Sequence, residues 1–149
     1  PAGVACGELA KELALSYGVG LMMNWVAWTV FGNEPKDSYA NPRWSTVLAL
    51  PLQMFFYPYL VYKAASTGGG LHEWLGGGWE VGTEAAFWDR MFYVGLFGYM
   101  AKDMHCMPDP SMVAHHFLCG GSAVGNLFLS GGARIFMFGT LILEVCKSC

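Results

Sequence analysis

Ionisable side chains are concentrated in one stretch of this otherwise apolar chain, residues 99–116, which reads YMAKDMHCMPDPSMVAHH. The stretch contains two of the acidic residues and three of the four histidines: Asp103, Asp109, His105, His115 and His116. An imidazole beside a carboxylate can act as a general base, because the carboxylate stabilises the protonated ring. The stretch therefore predicts a site built on Asp103 and the paired histidines.

The composition and the spacing of charged residues predict a membrane protein. Of the 149 residues, 54% are hydrophobic and only 13% are charged. Asp, Glu, Lys and Arg are absent from residues 13–33, 44–62 and 110–133. An α-helix needs about 20 largely apolar residues to cross a bilayer, and each of these runs is long enough. We therefore expect an all-α, multi-pass transmembrane helical bundle rather than a soluble helical bundle.

Five spans are expected in a single membrane domain that covers residues 1–149. Their approximate bounds are 13–31, 44–62, 87–104, 111–129 and 133–149. Pro51 and Pro58 should kink the second span, since each proline removes a backbone donor. The fifth span is short for a complete crossing, so we expect the bundle to continue beyond Cys149.

Two groups of residues are expected at the membrane surface. Asp89 and Arg90 lie near the start of the third span, and Lys102 and Asp103 lie at its end. The two pairs can lie near opposite membrane interfaces if the lysine extends outward. Trp74 lies in a glycine-rich segment, residues 64–82, that should rest on the membrane surface.

Small and polar residues share one face of the first span. Ser16, Gly20 and Asn24 recur every four residues, so they lie on the same side of a helix. Such faces usually pack closely against a neighbouring helix in a membrane. Gln53 is the one strongly polar interior residue of the second span, and we expect it to hydrogen-bond to another helix.

The fourth span carries a polar stripe. Its members step by four, three and four residues along the chain: His115, Cys119, Ser122 and Asn126. Polar side chains are costly against lipid tails, so the stripe should face the bundle interior. Gly121 and Gly125 form a small-xxx-small pair that would let another helix approach.

A candidate polar cavity combines this stripe with acidic residues of the neighbouring spans. Its members would be Asp103, His115, His116, Cys119, Asn126 and Glu144. Glu144 would face the same interior, or would instead pair with Lys147 three residues later. His105 and His115 also offer imidazole ligands to a metal, but the spacing of histidines and cysteines matches no compact zinc pattern. No catalytic residue and no metal site are assigned.

Three motifs follow one another in the last third of the chain. They are Tyr99-x-x-x-Asp103, the pair His115-His116, and the segment Arg134…Gly139-Thr140-Leu141 that leads to Glu144. Together they resemble the TLC-domain family of membrane proteins, named for translocating-chain-associating, longevity-assurance and ceroid-lipofuscinosis proteins. The resemblance implies five or more helices around a membrane cavity that holds lipid or acyl chains, and a location in the endoplasmic reticulum.

The resemblance also bears on enzymatic activity. The ceramide synthase branch of the family transfers an acyl group from acyl-coenzyme A to a sphingoid base, and its paired histidines would correspond to His115 and His116. That branch also has His-Asp, followed shortly by a second Asp, on the next helix. This chain has Glu144-Val145-Cys146-Lys147 there. The missing acidic pair indicates a non-synthase member that binds or senses lipid and does not catalyse ceramide synthesis.

A second interpretation makes the chain a non-catalytic accessory subunit of a large organellar membrane complex, photosynthetic or respiratory, in a plastid or mitochondrial membrane. His105 or His115 could then contact a pigment or haem. The partners would be membrane lipids under the first interpretation and other membrane-protein subunits under the second. Nucleic acid is not expected as a partner, because the net charge is −3 and no basic cluster occurs.

Overall fold

Every regular element that the structure describes is helical. The computed structural model describes residues 6–36, 42–78, 80, 82–107, 109–129 and 132–148, and the side chains of all of these except 43, 46 and 144–148. The helices are α1 (Cys6–Phe31), α2 (Arg43–Pro51), α3 (Tyr57–Thr67), α4 (Leu71–Gly76), α5 (Glu84–Asp103), α6 (Pro110–Asn126) and α7 (Ala133–Ser148). A π-helical segment, Leu52–Phe56, joins α2 to α3. The all-α class predicted from the sequence is confirmed.

Helices cover all five of the predicted spans, with small differences in their bounds. Among the described residues, α1 is the one helix that is both long enough and apolar enough to cross a membrane. The second predicted span is divided by the π-helical segment, and α5 carries charged residues near both of its ends.

The central element is α5, of whose 20 residues 13 are buried. It begins at Glu84 and is capped by Thr83, whose side-chain oxygen accepts a hydrogen bond from the backbone N–H of Ala86 at 3.2 Å. This cap satisfies one of the free N–H groups at a helix start. Helices α1, α3 and α6 pack around α5, and aromatic rings from α3 and α5 form the centre of the core.

The contacts between α1 and α5 keep a constant offset of 78 residues. The Glu12 carboxylate lies 3.4 Å from Arg90, the Ser16 hydroxyl donates to the carbonyl of residue 94 at 2.8 Å, and the Asn24 amide donates to the Lys102 carbonyl at 3.1 Å. A constant offset means that the two helices run parallel. The face predicted on the first span, Ser16, Gly20 and Asn24, is therefore confirmed as a packing face.

The remaining helices alternate in direction. Gln53 contacts Tyr99 near the end of α5, whereas Lys63 lies 3.7 Å from Glu84 at its start, so α2 and α3 run antiparallel to α5. Helix α6 also runs antiparallel to α5, because His116 lies beside Asp103 while Gly120 lies beside Met100. Helix α7 begins where α5 begins, with Arg134 beside Asp89.

The predicted irregularity of the second span lies at Pro51. The π-helical segment follows this proline directly, which is a common way for a helix to absorb a missing backbone donor. Pro58 lies in the first turn of α3. Gln53, inside the π-helical segment, donates from Nε2 to the Tyr99 hydroxyl at 3.2 Å, which confirms its predicted hydrogen bond to another helix.

Gly98 allows α1 and α5 to approach closely. A Cβ atom at this position would lie 2.1 Å from Ser16 Oγ and 2.7 Å from the Ser16 carbonyl oxygen. The carbonyl cannot rotate away, so Gly98→Ala should push the helices apart and destabilise the protein by about 1–3 kcal/mol, as overpacking does. Thermal unfolding would measure the change.

Gly121→Ala is the matched control for this prediction. A Cβ atom at Gly121 would meet nothing within 4 Å. Alanine there should leave the stability unchanged or raise it by up to about 1 kcal/mol, because alanine favours a helix more than glycine does. The close packing of α1 on α5 would be contradicted if Gly98→Ala were as stable as Gly121→Ala.

Candidate functional site

Three ionisable side chains meet inside the bundle where α5 packs against α6. They form the Lys102–Asp103–His116 cluster, and their exposed fractions are 1%, 2% and 5%. The Lys102 ammonium donates to Asp103 Oδ1, and the second oxygen, Oδ2, lies 3.9 Å from His116 Nε2. Charged side chains are rarely buried so completely unless they are paired, so this cluster is the strongest candidate site.

The start of α6 positions His116. Asp109 caps this helix by accepting a hydrogen bond from the Ser111 backbone at 2.9 Å, and Pro110 follows at the first helical position. One turn later, His116 Nδ1 lies 2.8 Å from the Met112 carbonyl oxygen. A carbonyl can only accept, so Nδ1 carries a proton and Nε2 faces Asp103. His116 can therefore exchange a proton at Nε2 on the side of the carboxylate.

Lys102 was expected to extend toward a membrane surface, but its side chain is buried in the bundle. Its stem packs on Gly20, where a Cβ atom would lie 3.1 Å from the lysine Cβ, and its ammonium lies 4.7 Å from the centre of the Tyr99 ring. The missing side chain at Gly20 gives the stem its space. The Asp103 carboxylate and the face of the aromatic ring replace the water that the ammonium loses.

Of the polar stripe predicted on α6, Asn126 is buried, His115 and Cys119 are half-buried, and Ser122 is exposed. The inward residues are His116, Gly120, Ala123, Asn126 and Leu127. Gly120 would meet Met100 at 3.5 Å if it had a Cβ atom, and Ala123 is fully buried, so small residues set the contact with α5. The Gly121 and Gly125 pair faces outward, where no described side chain packs within 4 Å of either position.

The other predicted site residues are dispersed. Cys119 and His115 are half-buried neighbours, with the sulfur 3.7 Å from His115 Nε2. Asn126 is buried, but its amide donates to the Ser122 carbonyl of its own helix at 2.8 Å. The Glu144 side chain lies outside the described part of the structure. Among the described members of the predicted cavity, Asp103 and His116 lie together. Lys102, which was expected near a membrane interface, pairs with Asp103.

The turn after α5 carries His105 and Cys106. His105 Nε2 lies 2.5 Å from the Tyr17 hydroxyl on the outside of the bundle. Burial, together with the Asp103 carboxylate, raises the pKa of the Cys106 thiol to about 11, so the thiol is protonated at neutral pH. Within the described residues, no three His, Cys, Asp or Glu side chains are grouped to hold a metal ion.

A second buried ion pair lies at the opposite end of α5. Asp89 Oδ2 accepts from Arg134 Nε at 2.8 Å, and Oδ1 accepts from the Trp74 indole at 2.8 Å. Arg134 also donates to the Trp74 carbonyl at 3.0 Å. Asp89 and Trp74 are fully buried, so the expected surface positions of both were wrong. This Trp74–Asp89–Arg134 cluster ties α4, α5 and α7 together.

An elongated cavity of about 440 Å³ lies between α1, the π-helical segment and α5. Its polar wall residues are Glu12, Ser16, Tyr57, Tyr99 and Lys102, and the other wall residues are apolar or glycine. Along α5 the wall extends from Met91 to Lys102, roughly 16 Å of helix. None of the six predicted cavity residues lies on this wall. Lys102 lines the cavity and also belongs to the Lys102–Asp103–His116 cluster, so the two features are adjacent.

Four residues of the TLC-like motifs are buried polar groups in the structure. Tyr99, Asp103 and His116 lie in or beside the Lys102–Asp103–His116 cluster, and Arg134 lies in the Trp74–Asp89–Arg134 cluster. The other described residues of these motifs, His115, Gly139, Thr140 and Leu141, are half-buried. Comparisons of the chain with models of protein families, with characterised proteins and with solved structures give no match.

Proposed function

We propose that this protein is a multi-pass membrane protein that binds the apolar chain of a lipid in the cavity between α1 and α5. The observation that carries the proposal is the placement of both charged and large apolar side chains. Charged side chains lie inside the bundle beside an apolar cavity, while large apolar side chains lie outside.

The outer surface supports a membrane environment. Leu15, Phe55 and Phe117, on three different elements, are 69%, 74% and 68% exposed. Further large apolar side chains on α1, α3 and α7 are also exposed: Trp25, Trp28, Val30, Tyr62, Ile135 and Leu143. Many large apolar side chains on a protein surface are unusual in water, whereas lipid tails solvate them.

The directions of the helices support several crossings. Elements α1, α2–α3, α5 and α6 alternate in direction, and α7 starts at the same end of the bundle as α5. This is the order that a chain follows when it crosses a membrane back and forth with short connections. The charged ends of α5 are compatible with a crossing, because both are paired inside the protein.

The cavity favours a ligand with an uncharged head. At one end, Glu12 pairs with Arg90 at 3.4 Å, and at the other end Lys102 pairs with Asp103. A charged headgroup would have to break one of these pairs. The length of the wall, roughly 16 Å, is close to one leaflet of a hydrocarbon core about 30 Å thick. We therefore propose a neutral, single-chain lipid as the ligand.

The resemblance to the TLC-domain family belongs to the same proposal. It adds an endoplasmic reticulum location and a role in lipid binding or sensing. Ceramide synthesis is not proposed, because the acidic pair of that branch is missing after His116.

Lipid retention tests the proposal. Gly95 lies on the cavity wall, and a Cβ atom there would be 3.5 Å from Phe56, so Gly95→Leu should fill the cavity without a backbone clash. We expect wild-type protein purified in mild detergent to retain lipid, and Gly95→Leu to retain several-fold less, as quantified by mass spectrometry of the extracted lipids. Gly121→Leu adds the same side chain where nothing lies within 4 Å and should retain the wild-type amount. Equal retention by all three proteins would reject the cavity as the binding site.

One observation favours the accessory-subunit alternative as a second candidate. The outward pair Gly121 and Gly125 forms a small-residue surface on α6 that is open in this chain, and such surfaces often contact another transmembrane helix. The purified preparation also tests this candidate. A visible absorption band and co-purifying subunits would favour a complex with pigment or haem over a lipid-binding protein.

A further inference from the structure

We propose that Lys102 forms an imine with a long-chain aldehyde held in the cavity. The inference rests on the proposed lipid-binding function and adds a ligand class and a covalent chemistry to it. It depends on one structural observation. Lys102 is buried and lines an apolar cavity, and its ion-pair partner is the next residue in the chain, Asp103.

The geometry provides the parts of an imine site. Lys102 lines the cavity together with Tyr99, whose ring centre is 4.7 Å from the lysine nitrogen. The ammonium donates to Asp103 Oδ1, and His116 Nε2 lies 3.9 Å from Asp103 Oδ2. Buried lysines act as Schiff-base nucleophiles in proteins, and the Asp103 carboxylate can accept the proton that the ammonium must lose before it attacks a carbonyl carbon.

The charge of the site selects an aldehyde over a fatty acid. Lys102 and Asp103 together are neutral, so a ligand carboxylate would add an uncompensated negative charge in a buried site. An aldehyde brings no charge. Its protonated imine carries the same single positive charge as the ammonium it replaces, so the Asp103 carboxylate remains paired before and after the reaction.

The reaction balances with the groups present. Asp103 accepts a proton from the Lys102 ammonium, and the free amine attacks the aldehyde carbon to form a carbinolamine. Asp103 then returns the proton to the carbinolamine hydroxyl, the C–O bond breaks, and water leaves. The product is a protonated imine paired with the Asp103 carboxylate, and the net change is one ammonium and one aldehyde converted to one iminium ion and one water molecule. No oxidant, reductant or cofactor is consumed.

Reductive trapping tests this chemistry. Purified protein in detergent is incubated with dodecanal, treated with sodium cyanoborohydride, digested and analysed by mass spectrometry. We expect saturable addition of one dodecyl group per chain, located on Lys102. Lys102→Arg keeps a positive charge beside Asp103 and should lose this adduct. The exposed Lys11 gives the level of non-specific labelling within the same sample.

Two further samples show whether the aldehyde reaches Lys102 through the cavity. Dodecanol fits the same space without a reactive carbonyl, and an excess should slow the labelling of Lys102 several-fold. Gly95→Leu leaves Lys102 and Asp103 in place, and it should also reduce the labelling several-fold. The proposal is overturned if Lys102 is labelled no more than Lys11, or if neither dodecanol nor Gly95→Leu slows its labelling. If the cavity retains lipid while Lys102 stays unlabelled, the imine is rejected and the lipid-binding function stands.

Discussion

Asp103→Ala should destabilise the protein by about 3–5 kcal/mol, the usual cost of removing one partner from a buried ion pair. Asp103 is 2% exposed and accepts from the Lys102 ammonium, which is 1% exposed. Without the carboxylate, a lysine that packs on Gly20 would remain in the bundle with only the Tyr99 ring beside its charge. The free energy of unfolding in detergent, measured with a denaturant series, gives the change.

A double variant separates the charge from the packing. Lys102→Met with Asp103→Leu removes both charges and keeps side chains of similar size. Replacing a buried ion pair with apolar residues is often neutral for stability, so the double variant should recover most of the loss. If it were as unstable as Asp103→Ala, the loss would come from side-chain volume, and the charge argument would be wrong.

Arg134→Met should have an effect of similar size at the opposite end of α5. Arg134 donates to Asp89 Oδ2 and to the Trp74 carbonyl, and Asp89 is fully buried. The variant leaves a carboxylate inside the protein with only the indole as a donor, which should cost about 3–5 kcal/mol. Helix α4 should also loosen, because the arginine holds its backbone. Limited proteolysis between α4 and α5 would detect this local opening.

Arg90→Met is the matched control, since it removes the same side chain from a partly exposed pair. Arg90 lies 3.4 Å from Glu12, and both side chains are partly exposed. Exposed ion pairs contribute about 0–1 kcal/mol. If Arg134→Met lowered the free energy of unfolding no more than Arg90→Met does, the Trp74–Asp89–Arg134 cluster would not stabilise the protein.

The sequence predicted what depends on local periodicity. The long uncharged runs located α1, the α2–α3 region and α6. The four-residue recurrence of Ser16, Gly20 and Asn24 identified the side of α1 that packs on α5. A hydrogen bond from Gln53 to another helix could be predicted, because an amide in an apolar run needs a hydrogen-bonding partner. In each of these cases, the information lies within one helix, where the rise and rotation per residue are fixed.

The inward face of α6 could not be predicted from polarity. His115 and His116 are adjacent, and one residue rotates the face by about 100°. A stripe chosen by polarity starts at His115, whereas the structure places His116 inside. The choice follows from size, because Gly120 and Ala123 let α6 approach α5 closely. Small residues carry little signal in a pattern of polar and apolar positions.

The charged residues of α5 were misplaced for a different reason. Lys102 and Asp89 lie near the helix ends, where charges usually reach water, so a surface position was the natural prediction. Their burial depends on partners that local spacing does not reveal. Asp89 is paired by Arg134 from α7, and Lys102 has space because α1 lacks a side chain at Gly20. Only the assembled bundle shows that these charges are compensated.

The parallel alignment of α1 and α5 has a consequence for biosynthesis. A ribosome makes α1 first, yet the residues it contacts are synthesised 78 positions later. Until α5 has been synthesised, the Asn24 amide lacks the Lys102 carbonyl as its acceptor. The cavity, whose long walls are α1 and α5, therefore forms only after α5 has been synthesised.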